Sequence, residues 1–150
     1  MASGDVEEDA WPIRYFVSLG LELIVCQSFS KNFGLYNERA GNLILVTKNA
    51  KIMSNCKSQL EELIRQNYSN PPNHGARIVA TALNNTSYSQ EWTENVKMMS
   101  KRMKNMRIEL YEKLRLLGTP GSWKHIIEQT GMFSFTGLSG KHTNFPRQKS

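Results

Sequence analysis

The sequence predicts an α/β fold on three observations. Two compact apolar runs, residues 21–26 and 42–47, have strand length, several other segments show helical apolar spacing, and one long amphipathic stripe occupies the second half of the chain. With 150 residues and 39% hydrophobic content, the chain can bury one core, or one domain and part of another.

Residues 9–20 read as a helix with Asp9 as N-cap, Pro12 in the first turn, Ile13, Phe16 and Val17 on one face, and Gly20 as the stop. The two apolar runs then read as buried core strands, bounding a polar, glycine-punctuated loop over residues 27–41. A loop placed by two rigid strands is where chemistry tends to sit. Leu60, Leu63 and Ile64 predict a helix over residues 55–66, ended by Ser69-Asn70-Pro71-Pro72, and residues 75–83 predict a short one.

Trp92, Val96, Met99, Met103, Met106, Leu110, Leu114 and Leu117 follow each other at three- and four-residue steps, which makes one helix of about twenty-five residues with a single apolar stripe. Gly118 and Pro120 end it, and the methionines read as adaptable core filler. Residues 132–135 predict one more strand, after which the chain turns polar.

The net charge of +6 raises the possibility of a nucleic-acid partner, but its distribution argues against one. The densest basic cluster, Lys97, Lys101, Arg102, Lys104 and Arg107, lies on the long helix with methionines rather than base-stacking aromatics between the charges, so it reads as a solvated face. No run has the apolar length of a membrane span, and the acidic Asp5, Glu7, Glu8 and Asp9 stand where a secretory signal would be basic and then apolar. The expectation is a cytoplasmic protein with neither a nucleic-acid nor a membrane partner. Cys26 and Cys56 form no metal-ligand spacing and read as buried reduced thiols.

The chemistry-bearing motif is Ser28-Phe-Ser-Lys31 with Arg39-Ala-Gly41 downstream. Two hydroxyls and a planar guanidinium suit an anionic phosphate, and a lysine amine beside them is free to attack a carbonyl. On composition alone a surface lysine beside ordinary capping serines is the better reading. A Ser-x-x-Lys hydrolase is a third reading, weakened because the chain has no Ser-Asp-Asn or Lys-Thr-Gly element.

The run from Cys26 to Gly41, Cys-Gln-Ser-Phe-Ser-Lys-Asn-Phe-Gly-Leu-Tyr-Asn-Glu-Arg-Ala-Gly, closely resembles the lysine segment of the class I pyridoxal-phosphate-dependent aminotransferases, in particular the cytosolic aspartate aminotransferase type. The likeness continues through Tyr68-Ser-Asn-Pro-Pro-Asn-His-Gly-Ala-Arg-Ile-Val-Ala80, Glu91-Trp92 and Gly131-Met-Phe-Ser-Phe-Thr-Gly137. Leu117-Gly-Thr-Pro-Gly-Ser-Trp123 is also similar to a divergent, aspartate-aminotransferase-like branch.

The resemblance implies part of a fold-type-I transferase: residues 1–98 as the later part of the large cofactor-binding domain, 99–140 as the start of the small domain, a bridging helix over about 86–117, and a divergent polar tail over 141–150. It implies pyridoxal 5'-phosphate as cofactor and amino acids and 2-oxo acids as substrates, with aspartate and 2-oxoglutarate giving oxaloacetate and glutamate. Lys31 would carry the cofactor covalently and move a proton, Ser28 and Arg39 would hold its phosphate, and Phe133 would line the pocket. Arg65 would read the distal carboxylate of a dicarboxylate from the partner subunit of a homodimer, near a subunit-facing segment at Ser69 and Asn70. The family's ring-nitrogen aspartate and ring-hydroxyl tyrosine lie upstream of residues resembling Ala2-Ser3-Gly4. The expectation is therefore a truncated form with impaired activity alone, or a non-catalytic short partner that docks onto a full-length subunit.

Overall fold

β1 (Leu23–Ser28) and β2 (Gly41–Val46) pair antiparallel, with Leu23 opposite Val46 and Ser28 opposite Gly41. The computed structural model describes residues 2–139; the expected tail over 141–150 lies outside the described residues. Around the strand pair stand helices α1 (Val6–Ser18), α2 (Ala50–Tyr68), α3 (His74–Asn84), α4 (Thr86–Leu116) and the single turn α5 (His125–Glu128). Helix and strand are thus mixed as expected, and among the described residues no helix is long and apolar enough to cross a membrane.

Several local details differ from the sequence reading. α1 begins at Val6 because Asp5, not Asp9, caps it, its carboxylate accepting the amides of Glu7 and Glu8. Asp9 instead accepts the amides of Ala2 and Ser3, tying the preceding residues back onto the helix. Pro12 consequently sits inside the helix, not in its first turn, and the Glu8 carbonyl loses its helical donor. α2 starts five residues early, at Ala50, because the Asn49 side chain accepts the amide of Ile52.

The strands were expected to be buried, yet Ile24 is 74% exposed and Leu43 is exposed as well, because α2 stands off that face and leaves an open groove instead of closing over it. Cys26 is exposed rather than buried, since it lies on the same two-stranded unit, while Cys56 is half-buried on α2, and both are free thiols. An apolar groove of about 540 Å³ runs between the strand pair and α2, lined by Ile24, Leu43, Leu45, Ile52, Leu60 and Leu63 among others.

α4 spans 31 residues, and Gly118 follows it as predicted. Its apolar stripe is buried only in part. Val96 is 1% exposed and Met99 and Met103 are half-buried, but Met106, Leu110 and Leu117 open to solvent. The core accordingly gathers at three places: Val79 of α3, Val96 and Ser100 of α4, and Ile126 of α5. α5 escaped the sequence reading because four residues carry no usable periodicity. Residues 132–135 form no strand; their backbone is held by side chains, as described next.

Candidate functional site

The loop between β1 and β2 folds back on itself through its own backbone. Phe29 N–H donates to Ala40 O at 3.2 Å and Leu35 N–H to Phe29 O at 3.4 Å, and a short 3-10 turn occupies Tyr36–Glu38. Arg39 follows in the left-handed region at φ 53°, a conformation that costs a non-glycine residue free energy and that turns the chain into β2. Three aromatic rings fix the loop onto the helices: Phe29 meets Phe33 edge-on at 5.5 Å, and Phe33 stacks on Trp92 of α4 at 5.0 Å. The Trp92 indole N–H also donates to Asn32 O at 2.8 Å. On the other side α3 approaches so closely that a Cβ on Gly75 would lie 2.8 Å from the Cβ atoms of both Ala40 and Glu38.

Within this frame Lys31 is half-buried, and its Nζ stands 4.3 Å from the ring centre of Tyr36 and 5.9 Å from that of Phe133. Among the described residues no carboxylate pairs with it. Ser28 Oγ accepts the Ser30 amide at 3.1 Å, which leaves its own O–H to donate elsewhere. The Arg39 guanidinium is exposed and gives one N–H to Tyr36 O at 3.1 Å, leaving the rest of its fork uncommitted among the described residues. Tyr36 carried no signal in the sequence beyond its place in the loop.

Phe133 reaches Lys31 from over a hundred residues away, from the irregular segment after α5, and is 76% exposed. That segment is held by Arg107 of α4, whose guanidinium donates to the carbonyls of Gln129, Gly131 at 2.6 Å and Phe133 at 2.9 Å. Lys104 likewise donates to Ser3 O at 2.5 Å. The reading of this basic cluster as a solvated face therefore holds at the exposed Lys104 and fails at Arg107, because irregular backbone folded alongside the helix offers carbonyls that a periodicity argument cannot see. Arg65 is not brought to the loop. It projects from the last turn of α2, exposed, and donates to Ser69 Oγ at 2.5 Å. Ser69 itself takes a left-handed φ of 67°, and Asn70 is exposed.

The chain belongs to the aminotransferase class I and II family, whose model matches residues 1–148 and so extends beyond Gly137. It is 54% identical over 144 residues to the cytoplasmic aspartate aminotransferase of Gallus gallus, covering 96% of this chain and 35% of that one. The aspartate aminotransferase from Saccharomyces cerevisiae cytoplasm superposes with a TM-score of 0.86 at 44% identity, over 93% of this chain and 36% of that one. An aromatic-amino-acid aminotransferase from Burkholderia pseudomallei, covalently bound to pyridoxal phosphate, gives 0.84 at 38% identity, over 92% and 35%. The chain thus spans about a third of the length of the relatives it matches, and its fold is part of the fold-type-I aminotransferase architecture.

Proposed function

We propose that these residues form the lysine-bearing part of a pyridoxal-phosphate-dependent aspartate aminotransferase of the cytoplasm, converting L-aspartate and 2-oxoglutarate to oxaloacetate and L-glutamate. The observation that carries the reading is the setting of Lys31, an amine flanked by two aromatic rings, unpaired with any carboxylate among the described residues, in a loop that also holds Ser28 and Arg39. This donor set fits an aldehyde phosphate: hydroxyl and guanidinium N–H groups for the phosphate, a primary amine for the carbonyl carbon.

Pyridoxal phosphate, when bound, supplies an electron sink for the carbanion formed at the substrate's α-carbon. Ser28 O–H and the free N–H groups of Arg39 would hold the phosphate, so that the loop fixes its distance from Lys31. Lys31 Nζ would then take the α-proton and return it, with the Tyr36 and Phe133 rings beside the amine. Arg65 would select a dicarboxylate with its planar fork; its exposure on α2, away from its own loop, supports a reach into a second subunit. The division near residue 98, within α4, belongs to the same proposal.

A second reading, a non-catalytic partner docked on a full-length subunit, is favoured by the apolar surface left open at Trp11, Tyr15, Phe16 and Ile24. The experiment is reduction with borohydride in the presence of pyridoxal phosphate, followed by peptide mapping. The proposal expects the reduced adduct concentrated on Lys31 and lost in Lys31→Ala; an adduct spread evenly over the lysines removes it. Turnover by residues 1–150 alone is expected to stay far below that of a complete relative, and robust turnover abolished by Lys31→Ala would show otherwise.

A further inference from the structure

The segment after α5 has no helix or strand to fix it, and it bends through Gly131 at φ +107°, a conformation other residues rarely adopt. Its last regular backbone bond is Gln129 N–H to His125 O at 3.1 Å. Beyond that point side chains shape it, among them His125, whose Nε2 lies 3.3 Å from Thr136 O. Gln129 folds over locally, its Oε1 accepting the Phe135 amide at 2.8 Å and its Nε2 donating to Phe135 O at 3.1 Å. Arg107 ties it to α4, taking three alternate carbonyls, those of Gln129, Gly131 and Phe133, on one half-buried guanidinium. The third of these belongs to the residue whose ring stands 5.9 Å from Lys31 Nζ.

We propose that Arg107 is a positioning residue that clamps the curled segment 129–133 to α4 and thereby sets the Phe133 ring over Lys31; this rests on the reading of Lys31 as the site. The chemistry is specific to arginine. A planar fork with five N–H donors meets three converging carbonyls at fixed angles, whereas a lysine ammonium is a single compact centre on a flexible stem. Phe133, being mostly exposed, has little packing of its own to keep it in place, so the ring's position follows its backbone, and its backbone follows Arg107.

The test needs no cofactor. Reductive methylation with isotope-labelled formaldehyde places NMR-visible methyls on Lys31, whose shifts report the currents of the nearby Tyr36 and Phe133 rings. Phe133→Leu should move the Lys31 signal toward the value of a solvent-exposed lysine. Arg107→Met should move it to nearly the same place while α4 keeps its amide protection. Arg107→Lys should fall between parent and Arg107→Met, and it serves as the test should Arg107→Met fail to fold. A Lys31 signal unmoved by both Arg107 variants, or a loss of protection spread over α4 as a whole, overturns the proposal. A parent chain whose Lys31 takes no pyridoxal phosphate under borohydride, but whose signal responds to Arg107 as described, sinks the cofactor reading and leaves the clamp standing.

Discussion

Trp92 of the long helix donates its indole N–H to the backbone carbonyl of Asn32, 2.8 Å away and sixty residues earlier in the chain, directly beside Lys31. This bond and the stack of Phe33 on the same indole make α4 the wall against which the lysine loop is set. Trp92→Phe keeps a ring to stack but removes the donor, leaving a part-buried carbonyl without its partner. Stability should fall by about 1–2 kcal/mol, read as a lower denaturant midpoint at unchanged slope. An unchanged midpoint would mean that the bond contributes nothing net.

Gly75→Ala tests the opposite wall of the loop. The added Cβ would fall 2.8 Å from the Cβ atoms of Ala40 and Glu38, and neither neighbour can swing away because both atoms are fixed to backbone. Alanine favours a helix by up to about 1 kcal/mol over glycine, and overpacking costs about 1–3 kcal/mol, so the clash should win and the variant should be less stable than the parent. A more stable variant in thermal unfolding would show that α3 can retreat freely.

The proposed role of Arg65 is measurable in a chimera in which these residues replace the matching segment of the Gallus gallus relative. Arg65→Ala should lower kcat/KM for aspartate by about 1.5–3 kcal/mol more than for alanine, as for one charged hydrogen-bonded pair. Equal losses on the two substrates would remove Arg65 from substrate selection. Stability should change little, since its hydrogen bond to Ser69 is exposed.

Acid should loosen α1 through its cap. The Glu8 and Glu7 amides hold the Asp5 carboxyl below its ordinary value, with a small further pull from Lys97. A depressed folded value means that the cap's contribution is fully present above the unfolded pKa of about 3.9 and disappears as pH falls through the lower folded one. The Asp5 carboxyl resonance should titrate with a midpoint below about 3.9, and in Asp5→Asn the acid-dependent fraying of α1 should shrink to the part that Glu7, also held low by Arg14, contributes. A midpoint at or above 3.9 would contradict the capping geometry.

The existence and type of most elements were legible in the sequence because they rest on local periodicity and local stops. The stripe from Trp92 to Leu114 gave α4, the apolar runs gave β1 and β2, and Ser28, Lys31 and Arg39 fell in one loop because a single strand exit carries all three. The start of α1 was misplaced because Asp9 reads locally as a cap, whereas the chain before it folds back and its carboxylate takes the Ala2 and Ser3 amides, leaving Asp5 to cap the helix.

The neighbourhood of Lys31 was decided by tertiary structure. Whether a phenylalanine over a hundred residues away meets that amine, whether a helix arginine faces water or three carbonyls, and whether a glycine is needed where α3 meets the loop all depend on contacts between segments far apart in the chain. Periodicity describes one helix or strand at a time, and carbonyls presented by irregular backbone leave no periodic trace. The sequence therefore placed the reactive groups and the Tyr36 ring in one loop, and chain closure placed the Phe133 ring and the Arg107 guanidinium.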